Sequence, residues 1–324
     1  LRSRRPGHLE YSVDSVLRMK SAQRILVGTM YCGEAQLESC LRAIHEQDYP
    51  HWEHFLIENL PNRQAHAELY RKFVERKAEF ALFAKIDADM VLTRPTVFSE
   101  VITWFERNPR FLGLQVALED YFTAQLILGM NFFRSSVEWG ERNDAVFVDS
   151  GTVKPNQRYN DFTDIGPAAT HCEEPSSFQS FHFGIHKGIK FLAARAAGSS
   201  RRVQKNFHLE NIELTYRHYR STKDGRLCLA SLGAELALDR YFSVENLDFS
   251  DELVHATVTE LEGMSEAERE AKLQGLRKKN RSNVPVRSFR VASYRRIHRL
   301  TRALVKGRDR ILQKECVVPV RQSM

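Results

Sequence analysis

The sequence predicts an α/β fold built on an open, mostly parallel sheet flanked by helices, and three observations carry that prediction. Short apolar, β-branched runs alternate with amphipathic segments from residue 24 to residue 92. Strands that alternate with helices in this way pair in parallel through right-handed crossovers. Each run also ends in polar residues, and the carboxyl edge of such a sheet is where ligands bind. With 324 residues, the chain is long enough for one large α/β domain with an appendage.

Arg24–Met30 (RILVGTM) reads as a buried strand closed by the turn-like Tyr31-Cys32-Gly33. Residues 34–47 place Leu37, Leu41 and Ile44 at the period of an amphipathic helix, which Tyr49-Pro50 stops. His54–Leu60 is a second strand, ending in Glu58-Asn59 and a Pro61-Asn62 turn. Residues 64–79 resume helical character, and Phe80–Ile86 (FALFAKI) is the third strand. Further strands are expected at Phe111–Leu118 and Met130–Arg134, with a polar, turn-rich loop from Ser150 to Asp164. Pro175-Ser176-Ser177 opens a helix with Phe178, Phe181, Ile185 and Leu192 on its apolar side and Gln179, His182 and His186 on another. Gly188 offers an earlier stop, which would leave Ile189–Ala194 as a strand. Beyond residue 245, Ser265-Glu266-Ala267-Glu268 fits a capping box for a helix towards Lys279, and Pro285 breaks the chain. Tyr294, Ile297, Leu300, Leu304 and Ile311 then form an apolar stripe on a helix rich in arginine and lysine.

Charge is concentrated at one end. Between Lys272 and Arg321 there are sixteen Lys/Arg against two acids, a balance of +14 in a chain whose total is +7, so the remainder carries about −7. The folded body is therefore acidic, and nucleic acid is not an expected partner. A cationic helix with an apolar stripe suits an anionic membrane surface, with packing on the domain or on a partner as the alternative. Five cysteines lie scattered without pairing rhythm, which suits a reducing compartment. The N-terminal arginines lack the apolar stretch of a signal peptide, and Tyr121–Phe133 is too short and polar to span a bilayer. The expected location is cytoplasmic, with peripheral attachment to the inner face of the membrane.

The chemistry gathers at Lys85–Leu92 (KIDADMVL), where Asp87 and Asp89 stand one residue apart at the end of the third strand. Two anionic groups near one point are normally compensated by a divalent cation or an array of donors. A hard cation held by two carboxylates, Mn2+ or Mg2+, keeps open positions that phosphate oxygens fill. The chain has no GxxxxGK[ST] loop, and GxGxxG does not follow the first strand, so a metal is left to meet a diphosphate.

Residues 25–59 (ILVGTMYCGEAQLESCLRAIHEQDYPHWEHFLIEN), with Gln47-Asp48-Tyr49-Pro50 before the second strand, resemble the opening of family-2-type glycosyltransferases of the GT-A fold, and KIDADMVL resembles the DxD strand of that fold. The resemblance spans residues 24–92. Met130–Arg134 is similar to the strand that follows DxD in those enzymes, and His171-Cys172-Glu173-Glu174-Pro175 with Gly188-Ile189-Lys190-Phe191 is similar to their acidic pair and Gly-aromatic-basic strand. It implies a metal-dependent transferase that moves a sugar from a nucleotide-sugar donor to a glycan or lipid-linked acceptor in surface polysaccharide assembly, inverting rather than retaining. Asp87 and Asp89 would hold the metal, with His208 as a third ligand and His182, His186 and His171 behind it. Glu174 or Glu173 would be the catalytic base, with Asp149 and Asp164 as alternatives. Thr29, Glu58 and Asp87 would meet the nucleotide, and His182 and His186 would face the acceptor. Residues 1–23 would form a basic arm, 24–245 the transferase domain and 246–324 a helical basic extension. A sugar nucleotidyltransferase and a non-catalytic basic binding protein are the rival readings.

Overall fold

The structure, a computed structural model, describes residues 23–140, 144, 146–148, 159–160 and 165–283. Asp149, Asp164 and the striped basic helix beyond Pro285 lie outside the described residues. Among the described residues the chain divides into a sheet unit, residues 23–179 with 247–252, and a helical unit, residues 180–246 with 253–283.

The sheet unit is mixed α/β, as the alternating pattern predicts. Its elements run β1 (Ile25–Tyr31), α1 (Leu37–His45), β2 (Trp52–Glu58), α2 (Asn62–Glu75), β3 (Leu82–Lys85), β4 (Met90–Leu92), α3 (Val97–Arg107), β5 (Gly113–Asp120), β6 (Gln125–Arg134), β7 (Tyr159–Asn160) and β8 (Ala169–His171). The strand order is β2-β1-β3-β6-β5-β8-β4, with β7 on β5. β1 pairs in parallel with β2 and β3, and β5 in parallel with β7 and β8. β6 is antiparallel to β3 and β5, and β4 is antiparallel to β8.

The period of two explains the burial. Ile25 and Val27 enter one core with Ile44 of α1 and Phe98, Val101 and Phe105 of α3. Leu26 enters the other with Leu69 and Phe73 of α2, and Phe73 stacks on Phe83 of β3 at 4.7 Å between centroids. β1 is therefore sealed on both faces, which is why it reads as an unbroken apolar run. A Cβ on Gly28 would stand 2.4 Å from Leu69 Cδ1, so glycine sets how closely α2 approaches β1.

The helical unit is formed by α4 (Ser177–Ala196, whose first turn belongs to the sheet unit), α5 (Arg202–Thr222), α6 (Gly225–Leu238), α7 (Glu252–Glu262) and α8 (Glu266–Asn283). α6 is buried continuously from Leu227 to Ala237, so it lacks the one-sided stripe of a surface helix. α4 runs through Gly188 rather than stopping there. A Cβ on Gly188 would fall 2.6 Å from Ala237 Cβ, and one on Gly184 would fall 1.9 Å from Ala230 O, so both glycines serve close packing of α4 on α6. The expected capping box opens α8: Ser265 N donates to Glu268 Oε2 at 2.8 Å and Glu268 N to Ser265 Oγ at 3.3 Å. A buried ion network crosses this unit. Arg277 meets Glu235 at 2.6 Å and Glu213 at 2.9 Å, Asn280 Nδ2 donates to Glu235 Oε2 at 2.9 Å, and the guanidinium lies 3.6 Å from the Tyr216 ring centre. Among the described residues no helix is long and apolar enough to cross a membrane.

Candidate active site

The chain leaves β3 at Lys85, with Ile86 N donating to Gly28 O and Ala88 N to Met30 O, and turns at Ala88-Asp89, where Met90 N donates to Asp87 O at 2.9 Å. Ile86 and Ala88 are fully buried, while Asp87 and Asp89 are half-buried at the carboxyl edge of β1 and β3. Asp87 Oδ2 accepts from Lys85 Nζ at 2.7 Å, and that lysine is buried within the strand. Asp89 Oδ2 accepts from the Cys172 thiol at 3.1 Å and lies 3.4 Å from His171 Nε2. The other oxygen of each carboxylate, Oδ1, is buried without a hydrogen-bond partner. Burial without a partner costs about 1–3 kcal/mol per polar group, more for a charge.

β-sheet register explains how His171 arrives. It pairs with Asp120 on β5 and with Met90 on β4, so β8 inserts the ring between two acidic strand ends. His171 Nδ1 lies 2.7 Å from Asp120 Oδ1, while Asp120 Oδ2 accepts from Thr123 N at 2.9 Å and from its hydroxyl at 2.5 Å. Burial alone would lower the His171 pKa, but Asp89 and Asp120 on either side hold the ring protonated well above its ordinary value. Burial likewise pushes Asp89 up, and the His171 charge, the hydrogen bonds from His171 and Cys172, and Lys85 override it, keeping the carboxyl ionised down to about 2. Burial and Asp89 push the Cys172 thiol up to about 12, so it remains a donor. Asp89, His171 and Cys172 present an oxygen, a nitrogen and a sulfur within 4.8 Å of one another. Two unpartnered buried carboxylate oxygens beside such a group fit a divalent cation, with Asp87 and Asp89 supplying hard oxygen donors suited to Mn2+ or Mg2+.

A further carboxyl is electrically linked to the pair. Glu34, in the loop after β1, has its pKa pushed up to about 7 by burial and then by the charges of Asp89 and Asp87, against a hydrogen bond from Cys32 N at 2.7 Å. The same loop is tied to the start of α4. Gln36 Nε2 donates to Glu173 O at 2.7 Å, and Gln179 bridges Ala35 N and Gln36 Oε1 while forming a capping box with Ser176. These bonds brace a strained turn, in which Cys172 and Glu174 have φ of 55° and 50°. Such left-handed backbone costs about 1–3 kcal/mol per residue and persists where surroundings impose it. Glu173 and Glu174 are exposed, and Glu173 Oε2 accepts from Thr170 Oγ1 at 3.1 Å.

The other sequence candidates are distributed differently. Thr29 is fully buried, 3.0 Å from His54 Nε2, and His54 is held near 4 by burial and by His45. Glu58 is exposed at the end of β2, paired in register with Tyr31. His182, His186 and His208 belong to the helical unit. The first two rings lie 4.6 Å apart on α4, one turn from each other. His208 is buried on α5, and burial followed by Lys187 and Lys190 lowers its pKa to about 2.

Sequence reasoning missed Lys85, Asp120, Cys172, Gln36, Gln179 and the part played by Glu34. Lys85 carried a local signal, being a lysine inside an apolar strand two residues before Asp87 and therefore on the same face. Asp120 carried none, since only the β5–β8 register brings it to His171.

No protein-family model and no curated protein matches the chain. Among solved structures, it is similar to the mannosyltransferase PcManGT from Pyrobaculum calidifontis in complex with GDP-Man and Mn2+, at 14% identity and TM-score 0.38, over 81% of this chain and 88% of that one. It is also similar to A197 from STIV, at 13% identity and TM-score 0.32, over 42% of this chain and 80% of that one. Both scores are low, so the reading of the site rests on this chain's own residues.

Proposed function

We propose that the protein is a divalent-metal-dependent glycosyltransferase that takes a nucleotide-sugar donor and a glycan or lipid-linked acceptor. The observation that carries the reading is the pair of buried oxygens, Asp87 Oδ1 and Asp89 Oδ1, left without partners at the carboxyl edge of parallel strands. Asp87 and Asp89 hold the cation, and Lys85 fixes the first of them in place. When bound, the cation supplies neutralisation of the charge that develops on the departing diphosphate. Glu58, exposed at the end of β2, is suited to accept hydrogen bonds from the nucleotide's base or ribose. Glu174 or Glu173, exposed on the braced turn before α4, takes the proton of the acceptor hydroxyl as it attacks the anomeric carbon, and inversion follows. Assembly of surface polysaccharide at the inner face of the membrane is the setting this chemistry and the basic tail suit.

Calorimetric titration of nucleoside diphosphates and nucleotide sugars, with and without Mn2+, tests this. Metal-dependent binding that is lost in Asp87→Asn and Asp89→Asn is the expected result. Binding that survives both substitutions removes the metal role of the pair, and no nucleotide binding at all favours a non-catalytic binding protein.

A further inference from the structure

We infer that Gln36, held in one orientation by Gln179, is the positioning residue of the proposed base: it locks the peptide between Glu173 and Glu174 and so sets where that turn aims its carboxylates. This rests on the base reading above and says what keeps the base in place.

Cys172 and Glu174, in the turn before α4, have left-handed backbone, with φ of 55° and 50°. Relief of that strain requires rotation of the peptide that precedes each residue. The peptide before Cys172 is held at both ends by backbone, since Cys172 N donates to Asp89 O at 2.8 Å and His171 O accepts from Tyr121 N at 3.2 Å. The peptide before Glu174 is held by a side chain: Glu173 O accepts from Gln36 Nε2 at 2.7 Å. Loss of that bond lets φ of Glu174 relax to negative values, which re-aims its Cα–Cβ bond relative to Glu173.

The Gln36 amide cannot invert. Gln179 Oε1 accepts from two backbone donors, Ala35 N at 3.0 Å and Ser176 N at 3.3 Å, so Nε2 is the end of Gln179 that meets Gln36, donating to Gln36 Oε1 at 2.8 Å. Gln36 Oε1 is therefore an acceptor, and its Nε2 is left to donate to Glu173. A backbone N–H at one end and a carbonyl at the other assign every polar atom of the relay. Both glutamines are 5% exposed, so bulk water does not replace a broken bond. The relay begins at Ala35, beside Glu34 in the loop after β1, so the base turn takes its shape from the strand end proposed to meet the nucleotide.

The test uses the full chain with Mn2+ and the nucleotide sugar identified by calorimetry, with water as acceptor and released nucleoside diphosphate as the readout. Water attacks the anomeric carbon, its proton goes to the base, and the sugar's bond to the diphosphate breaks. Gln36→Met keeps the volume and removes both amide bonds. Gln179→Glu keeps the acceptor for Ala35 and Ser176 and removes only the donation to Gln36. The expected result is a fall in kcat of about a hundredfold in Gln36→Met and a smaller fall in Gln179→Glu, with donor KM and Mn2+ Kd unchanged. Hydrogen exchange should quicken in residues 172–176 of Gln36→Met and stay as it was in β1 and β3. An unchanged kcat in Gln36→Met, where Glu174→Gln or Glu173→Gln abolishes turnover, overturns the positioning role and leaves the base reading standing. A fall in kcat matched by an equal loss of Mn2+ affinity makes the glutamines structural only and overturns it too. Turnover absent from the wild type, or unchanged in both glutamate variants, overturns the base reading and this inference with it. Should Gln36→Met not fold, Gln179→Glu decides by the same measurements.

Discussion

The Arg277 network of the helical unit and the Asp87–Asp89 cluster of the sheet unit use the same material, buried charge, and finish it differently. Around Arg277 the valences close: Glu235 and Glu213 take the guanidinium, Asn280 takes the second oxygen of Glu235, and Tyr216 covers the flat face. Around the aspartates they stay open, because Lys85 and Cys172 each engage one oxygen and the others have no partner. A network that serves stability satisfies its own groups, whereas a binding site leaves some for a ligand. The buried histidines repeat the contrast. His171 is held charged by two carboxylates, while His208 is held neutral by burial and two lysines.

The comparison can be broken in four places. Arg277→Met strands the buried carboxylate of Glu235 and removes one partner of the half-buried Glu213, and should cost about 3–5 kcal/mol of stability, read by chemical denaturation, with Mn2+ affinity of the folded protein unchanged. A comparable loss of Mn2+ affinity would show that the two clusters do not have separate tasks. Asp87→Asn should lower turnover about 10²–10³-fold, some 2.7–4 kcal/mol of transition-state stabilisation. It should also abolish the Mn2+-induced rise in Tm, which in the wild type corresponds to about 2.7 kcal/mol at a hundredfold excess over Kd. An undiminished Tm shift would mean that the ion sits elsewhere.

Gly184→Ala drives a methyl into Ala230 O and should cost about 1–3 kcal/mol, seen as a lower Tm, with no change in the sheet unit's Mn2+ affinity. The smallest effect concerns pH. The folded pKa of His208 is depressed to about 2, so the unfolded chain binds a proton that the folded one refuses, and its contribution is lost as pH falls below about 6.5. The slope approaches about 1.4 kcal/mol per pH unit, and His208→Gln should flatten it in denaturation measured from pH 7 to pH 5. His171 acts with the opposite sign, since its raised pKa gives stability that is present at low pH and lost as pH rises through the folded value.

Most of the sheet unit's skeleton was legible because its signals are local. The unbroken apolar run of Ile25, Leu26 and Val27 reports a strand buried on both faces, and the spacing of Leu37, Leu41 and Ile44 reports a period of 3.6, each within a few residues. The α4 start and the α8 capping box were legible for the same reason. Gly188 was ambiguous, because a glycine that ends a helix and one that lets a second helix approach look alike until Ala234 and Ala237 are placed against it.

By itself, then, the sequence determined the succession of the first three strands and the two helices between them and the placing of two aspartates at the end of the third strand, since both follow from patterns along a short stretch. Only the tertiary structure decided which charges those aspartates would meet. Asp120, His171 and Asp89 are distant in the chain, and it is the pairing of β8 with both β5 and β4 that sets them side by side. Register is fixed by the burial of whole strand faces, a property of the assembled sheet that no short stretch of chain encodes.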